Sequence, residues 1–194
     1  MVYLKKNVKK GGKTMFENDI EYVLLSEDKL KELVAELCGK INRDFLGKET
    51  ILLIILKGSL IFAADLMRGL DIPVTIDFMQ ASSYGAGSKT SGEIKIKKDM
   101  ENNPLDKHII IVEDIIDSGR TLSLLRANLE DRGAASVSIC ALLSKPDRRE
   151  VEVRAEYVGT EIPDEFVVGY GLDFAERYRN LPYIGVLKPI VYQD

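Results

Sequence analysis

"HIIIVEDIIDSGRTLSLL", residues 108–125, is the stretch that decides the fold. Ile109 to Val112 form a continuous apolar run rather than an alternating one. That is the pattern of a strand covered on both faces, as in a parallel sheet between helices. Two acids, Glu113 and Asp114, follow at once, then Asp117, then Ser118-Gly119-Arg120-Thr121. Beyond them "LSLLRANLEDRG" (122–133) reads as a helix, with Gly133 as its C-terminal stop. The same alternation recurs along the chain. Strands are expected at 51–56 ("ILLIIL"), 74–79, 108–114 and 136–143, with candidates at 166–170 and 183–187. Helices are expected at 26–46, capped by Ser26, and at 59–70. Strands and helices in this order build a parallel α/β sheet with helices on both faces. Ligands of such sheets sit beyond the carboxyl ends of the strands, which places 56–59, 113–121 and 144–146 on one rim.

Composition narrows the function classes. The chain has 194 residues, 45% hydrophobic and 30% charged, with net charge −4. We read residues 1–15 as a flexible extension and 16–194 as a single domain. The pI of about 5.3 gives no basic field, so nucleic acid is not the expected partner. No apolar run approaches the ~20 residues of a membrane span. Two cysteines, Cys38 and Cys140, lie in apolar surroundings and form no disulfide framework or zinc spacing, as expected in the cytoplasm. One segment departs from the packed pattern: "ASSYGAGSKTSG" (81–92) is rich in Ser and Gly, and "EIKIKKD" after it alternates like an exposed strand. A loop of that length is a functional lid or a mobile hairpin tip.

The opening stretch has its own chemistry. Backbone N–H groups and hydroxyls of residues 118–121, at the start of a helix, form a cradle for a phosphate. Gly119 lets the backbone approach the anion. The glycine that opens a Walker loop is missing, because position 114 is Asp. Acids ahead of the cradle would repel a bare phosphate, so they serve another part of the same ligand. Carboxylates accept from ribose hydroxyls and are hard ligands for magnesium. The ligand this implies is a ribose 5-phosphate derivative.

At this point "IIIVEDIIDSGRTL" (109–122) resembles the phosphoribosyl-pyrophosphate signature of the type I phosphoribosyltransferases, and more closely that of the hypoxanthine-guanine phosphoribosyltransferases. "LKGSL" (56–60) resembles the family's pyrophosphate loop and "SSYG" (82–85) its flexible catalytic loop. "LLSKP" (142–146) and "IPDEFVVGYGLDFAERYRNLPYIGVL" (162–187) are similar to its purine-binding segments. The resemblance covers about residues 20–190. It implies a Rossmann-like parallel sheet flanked by helices, with a small hood subdomain from the N- and C-terminal segments. It also implies transfer of ribose 5-phosphate from phosphoribosyl pyrophosphate to hypoxanthine or guanine, with Mg2+, in a cytoplasmic homo-oligomer, dimer or tetramer.

The resemblance also implies roles. Glu113 and Asp114 hold the ribose side and, with Asp173, the metal. Asp117 is the general base for purine N7, and Asp117 to Thr121 hold the 5'-phosphate. Lys57, Gly58 and Arg179 meet pyrophosphate. In the family the 56–57 peptide can be cis. Lys145 donates to the 6-oxo group, Phe166 stacks on the base, Val167 offers its backbone to the 2-position and Asp173 lies beside them. Ser83 and Tyr84 close over the reacting atoms. His108, the single histidine, is structural. Three other readings stay open. A signalling receiver domain would give "DSGRT" no role. An RNA-binding regulator on the same fold would need a basic face. A sister enzyme preferring xanthine or, less closely, a pyrimidine would share the phosphate loop.

Overall fold

A computed structural model describes residue 16, residues 18–83 and residues 94–193, with the backbone alone at 82, 83 and 94. In chain order the elements are β1 (Ile20–Leu25), α1 (Glu27–Asp44), β2 (Thr50–Ile55), α2 (Leu60–Arg68), β3 (Val74–Ser83), β4 (Ile94–Lys98) and β5 (His108–Ile116). Then come α3 (Arg120–Asp131), β6 (Ser136–Ser144), a 3-10 turn (Pro146–Arg148), β7 (Tyr157–Glu161), β8 (Val167–Val168), β9 (Ile184–Leu187) and α4 (Pro189–Tyr192). The chain divides into two compact units, residues 33–164 and residues 1–32 with 165–194.

The larger unit is a six-stranded sheet in the order β4-β3-β2-β5-β6-β7. Strands β3, β2, β5, β6 and β7 run parallel, and β4 closes one edge antiparallel to β3. All six residues of β2 are buried, as the continuous apolar run requires. Ile51, Leu53, Ile55, Ile109 and Ile111 turn to one face and pack with Leu122, Leu125 and Leu129 of α3. The intervening Leu52, Ile54, Ile110 and Val112 are equally buried on the other face, the side that α2 covers with Phe62, Ala63 and Leu66. Burying such side chains stabilises the sheet by about 1.5–3 kcal/mol each. Ser26 caps α1 through its Oγ, which accepts from Lys29 N at 3.2 Å. Gly133, at φ +85°, ends α3.

The smaller unit is a three-stranded antiparallel sheet in the order β1-β9-β8. Its core joins Ile20, Val168, Tyr178, Leu181 and Leu187. Strands β1 and β7 were not among the sequence expectations. The partner of β1 lies some 160 residues along the chain, and β7 is a short edge strand with Thr160 and Glu161 near its end. The expected strand at 166–170 shrinks to two residues, because Gly169 and Gly171 turn the chain at φ +98° and +104°. Strand β5 takes in the acids as expected and runs two residues further, to Ile116. Strand β6 continues beside it and supplies ladder partners, pairing Glu113 with Ala141 and Ile116 with Ser144. The expected extension at 1–15 and most of the 81–92 loop lie outside the described residues.

Candidate active site

The carboxyl ends of β2, β5 and β6 place residues 56–59, 113–121 and 144–146 at one end of the larger sheet. Glu113 and Asp114 lie within the last residues of β5, beside the β6 ladder. Asp114 is buried, and its Oδ1 accepts from Ile115 N at 2.7 Å. Glu113 Oε1 accepts from Asp114 N at 3.2 Å. Burial, then the Asp114 charge beside it, push the Glu113 carboxyl well above the usual carboxylate range. The loop after β2 closes on this pair. The Leu56–Lys57 peptide is cis. Ser59 is fully buried, and its Oγ donates to Ile55 O. Gly58 lies so near Asp114 that a Cβ built on it would stand 1.7 Å from Oδ2. Any larger residue there requires the Asp114 carboxylate or the loop to shift.

The next five residues turn from strand into helix. Gly119, at φ +83°, is the N-cap of α3. The first turn of a helix carries N–H groups with no intrahelical acceptor, and its dipole favours an anion there. This loop is itself strapped down. Ser118 O accepts from Glu150 N and Val151 N at 3.0 and 3.1 Å. Arg149 donates to Asp117 O at 3.0 Å and to Ser144 Oγ at 2.8 Å. Arg120 Nε donates to Glu150 at 2.7 Å. A Cβ at Gly119 would meet Val151 O at 2.7 Å, so the strap needs glycine there as much as the backbone turn does.

The Asp117 carboxylate is half exposed and accepts from Arg148 Nε at 3.1 Å. Arg148 also reaches Asp164 at 3.8 Å, and Asp164 lies 3.6 Å from Lys145 Nζ. Lys145 is largely buried, 12% exposed in its side chain, and its backbone N donates to Ile116 O at 2.9 Å. Asp117, Arg148, Asp164 and Lys145 thus form one chain of alternating charge. The Asp117–Arg148 and Arg148–Asp164 pairs are exposed at both ends, and such pairs contribute little stability, about 0–1 kcal/mol. His108 sits at the opposite end of β5, against Ser136 Oγ at 2.8 Å, away from this chemistry.

In the smaller unit Phe166 keeps 37% exposure, and Val167 is buried in the ladder with Val186. Tyr22 donates to Glu165 beside them. Arg179 donates to Gly171 O at 2.7 Å and pairs with Asp173 at 2.8 Å and Glu176 at 3.3 Å. Asp173 Oδ2 accepts from Glu176 N at 2.9 Å. Ala175, Glu176 and Tyr178 have φ of +50°, +62° and +75°, an unusual run for residues with side chains.

The larger unit therefore assembles Lys57, Gly58, Glu113, Asp114, Asp117 to Thr121 and Lys145. The smaller unit assembles Phe166, Val167, Asp173 and Arg179. Ser83 ends β3, and Tyr84 lies outside the described residues. Sequence reading passed over the strap, Arg148, Arg149 and Glu150, and also Asp164 and Glu176. The signal was present in "KPDRRE" (145–150), a charged run placed on the rim directly after β6.

Comparison with known proteins is consistent with this geometry. A family model described as a phosphoribosyl transferase domain matches residues 24–175. The hypoxanthine-guanine phosphoribosyltransferase of Streptococcus pneumoniae is 50% identical over 93% of this chain and 100% of its own length. The protein of the same name from Bacillus subtilis is 49% identical, again over 93% and 100%. The bifunctional TilS/HprT protein of Listeria monocytogenes is 48% identical over 95% of this chain, which spans only 28% of that longer protein. A crystal structure of a hypoxanthine phosphoribosyltransferase from Staphylococcus aureus superposes with a TM-score of 0.91 at 44% identity, covering 95% of this chain and all of that one. The chain belongs to the phosphoribosyltransferase family, among the hypoxanthine-guanine phosphoribosyltransferases.

Proposed function

We propose that the chain transfers the phosphoribosyl group of phosphoribosyl pyrophosphate to N9 of hypoxanthine or guanine, releasing pyrophosphate and forming IMP or GMP. The observation that carries this is the five-residue turn at the end of β5. It sets a carboxylate, Asp117, directly before a helix N-terminus whose loop is strapped in place by residues 149–151, which supports the reading of 118–121 as a phosphate cradle. The C1–pyrophosphate bond breaks as the N9–C1 bond forms, and the proton leaves from N7. Asp117 accepts that proton, an ordinary general-base role that contributes about 10²–10⁴-fold in rate. Ser118 to Thr121 bind the 5'-phosphate, and Glu113 and Asp114 orient the ribose hydroxyls. The backbone at Lys57-Gly58 and the Arg179 guanidinium take the departing pyrophosphate, where negative charge grows. Lys145 donates to the 6-oxo group, Phe166 stacks on the ring and Val167 lies at its 2-position. A donor facing position 6 disfavours adenine, whose amino group offers no matching acceptor.

The donor set suits Mg2+. Two carboxyls crowd together at 113–114, and burial with mutual charge makes their full ionisation costly until a dication arrives. Mg2+ is usually held by one or two carboxylates plus substrate oxygens rather than by an all-protein cage. Among the described residues no group of three His, Cys, Asp or Glu assembles. Glu113 and Asp114, with Asp173, would hold the ion. The chemistry it supplies is neutralisation of the phosphate charges.

The same reading makes the protein a cytoplasmic homo-oligomer. It is supported by two buried unpaired cysteines and by the exposure of Leu60 and Ile61 at the start of α2. Among the described residues no helix is long and apolar enough to cross a membrane. The test is nucleotide formation from phosphoribosyl pyrophosphate, with and without magnesium, across hypoxanthine, guanine, xanthine, adenine and uracil. Magnesium-dependent product from hypoxanthine and guanine is expected. Product from xanthine alone would shift the assignment to the sister enzyme, and product from no base would refute the proposal.

A further inference from the structure

Phe166 is held by more than its own strand. A phenyl ring has two faces, and one is covered: Tyr192 stacks on it with centroids 4.8 Å apart and planes 24° from parallel. Phe174 meets the same ring at 90° with centroids 5.6 Å apart, and meets Tyr192 at 6.5 Å. The three rings form one platform, yet Phe166 keeps 37% exposure, so part of the residue stays open to a ligand. The turn that carries Tyr192 is anchored from both ends. Leu187 N donates to Phe166 O at 2.8 Å just before it. Lys188 N and Nζ donate to Asp19 O and Asn18 O at 2.9 and 2.5 Å. Pro189 opens the turn with a fixed φ. Val191 packs into the core of Ile20, Val168, Tyr178, Leu181 and Leu187. Gln193 N closes it onto Pro189 O at 2.8 Å. The ring of Tyr192 is thus a fixed backing, set by the fold and not by a ligand.

We propose that Tyr192 is a positioning residue for purine recognition: stacked on one face of Phe166, it holds the opposite face toward the base. This rests on the reading of Phe166 as the residue that stacks on the purine. An aromatic ring is free to turn about its χ2 bond, and that turning must be suppressed for an offset stack on a ligand. A backing ring does this without touching substrate. Its effect is therefore confined to base affinity and does not reach the bond-making step.

The experiment measures kcat and KM for hypoxanthine and for phosphoribosyl pyrophosphate in Tyr192→Ala, Tyr192→Phe, Phe166→Ala and the Phe166→Ala/Tyr192→Ala pair, in the full chain. Tyr192→Ala should raise the purine KM about threefold to tenfold, the scale of one aromatic pair. It should leave kcat and the KM for phosphoribosyl pyrophosphate within about twofold of the parent, since uniform binding is what it removes. Tyr192→Phe keeps the ring and should restore the parental purine KM, which a loss of folding would not show. Once Phe166 is alanine, adding Tyr192→Ala should have no further effect. An unchanged or lowered purine KM in Tyr192→Ala, or additive effects in the pair, would overturn the inference while leaving the role of Phe166 intact. A parental purine KM in Phe166→Ala would overturn that role, and the inference with it.

Discussion

Replacing Gly58 by alanine drives a methyl group into the Asp114 carboxylate. The new Cβ would lie 1.7 Å from Oδ2 and 2.8 Å from Cγ. Gly58 is not among the glycines with positive φ, so alanine meets no backbone penalty and the whole effect is steric. To reach even 3.0 Å, the oxygen must retreat by 1.3 Å. Two outcomes are available. If the carboxylate swings away, the ribose loses a charged hydrogen bond of about 1.5–3 kcal/mol, roughly a 10- to 150-fold fall in kcat/KM. If the loop yields instead, overpacking costs about 1–3 kcal/mol of stability, a fall in Tm of about 2–12 °C for a chain of this size. The assay pairs steady-state kinetics in phosphoribosyl pyrophosphate with thermal unfolding. Gly39→Ala is the control. Gly39 lies inside α1, and its Cβ would meet only Arg43 Nη1 at 3.8 Å, so Tm should hold or rise and kinetics should not change. A Gly58→Ala chain with kcat/KM and Tm both at the parental level would refute the close approach of the two loops.

Gly119→Ala combines strain at φ +83° with a 2.7 Å clash on Val151 O. It should destabilise by about 1–3 kcal/mol and raise the KM for phosphoribosyl pyrophosphate, both readable by unfolding and kinetics. Asp77 is buried and accepts from Glu101 N, Asn102 N, Asn102 Nδ2 and Phe78 N. Burial alone would raise its pKa, but hydrogen bonds led by Asn102 outweigh that and hold the carboxyl below its ordinary value. Its contribution to stability is therefore complete above the ordinary aspartate pKa of about 3.9 and is lost as pH falls through the folded value. Asp77→Asn should cost about 1–3 kcal/mol near neutral pH and converge on the parent in acid, as denaturant curves at several pH values would record. Lys145→Gln should raise the hypoxanthine KM about 10- to 100-fold while sparing that of phosphoribosyl pyrophosphate. Equal changes in both would place Lys145 outside the base site.

Much of the fold is legible because burial on both faces leaves a mark in composition. The runs at 51–56 and 109–112 have no polar residue to satisfy. What escapes reading is non-local. Strand β1 is defined by β9 at the far end of the chain, and the last two residues of β5, Ile115 and Ile116, are held in the strand by the neighbouring β6 ladder. The same division holds in the site. The turn 117–121 is legible as a candidate anion site, since a glycine among small polar residues stands just before a helix. The strap at 149–151 and the backing ring of Tyr192 do not, because each is defined only by what it touches across the fold.

In the proposed mechanism one short turn divides its labour, with Asp117 taking the proton and residues 118–121 holding the phosphate. The direct measurement is single-turnover phosphoribosyl transfer to hypoxanthine in Asp117→Asn, alongside equilibrium binding of phosphoribosyl pyrophosphate. The rate should fall by about 10²–10⁴-fold, with affinity kept within about threefold because the cradle's N–H donors are untouched. A near-parental rate would remove Asp117 as the base. Affinity lost in step with rate would return it to the phosphate loop.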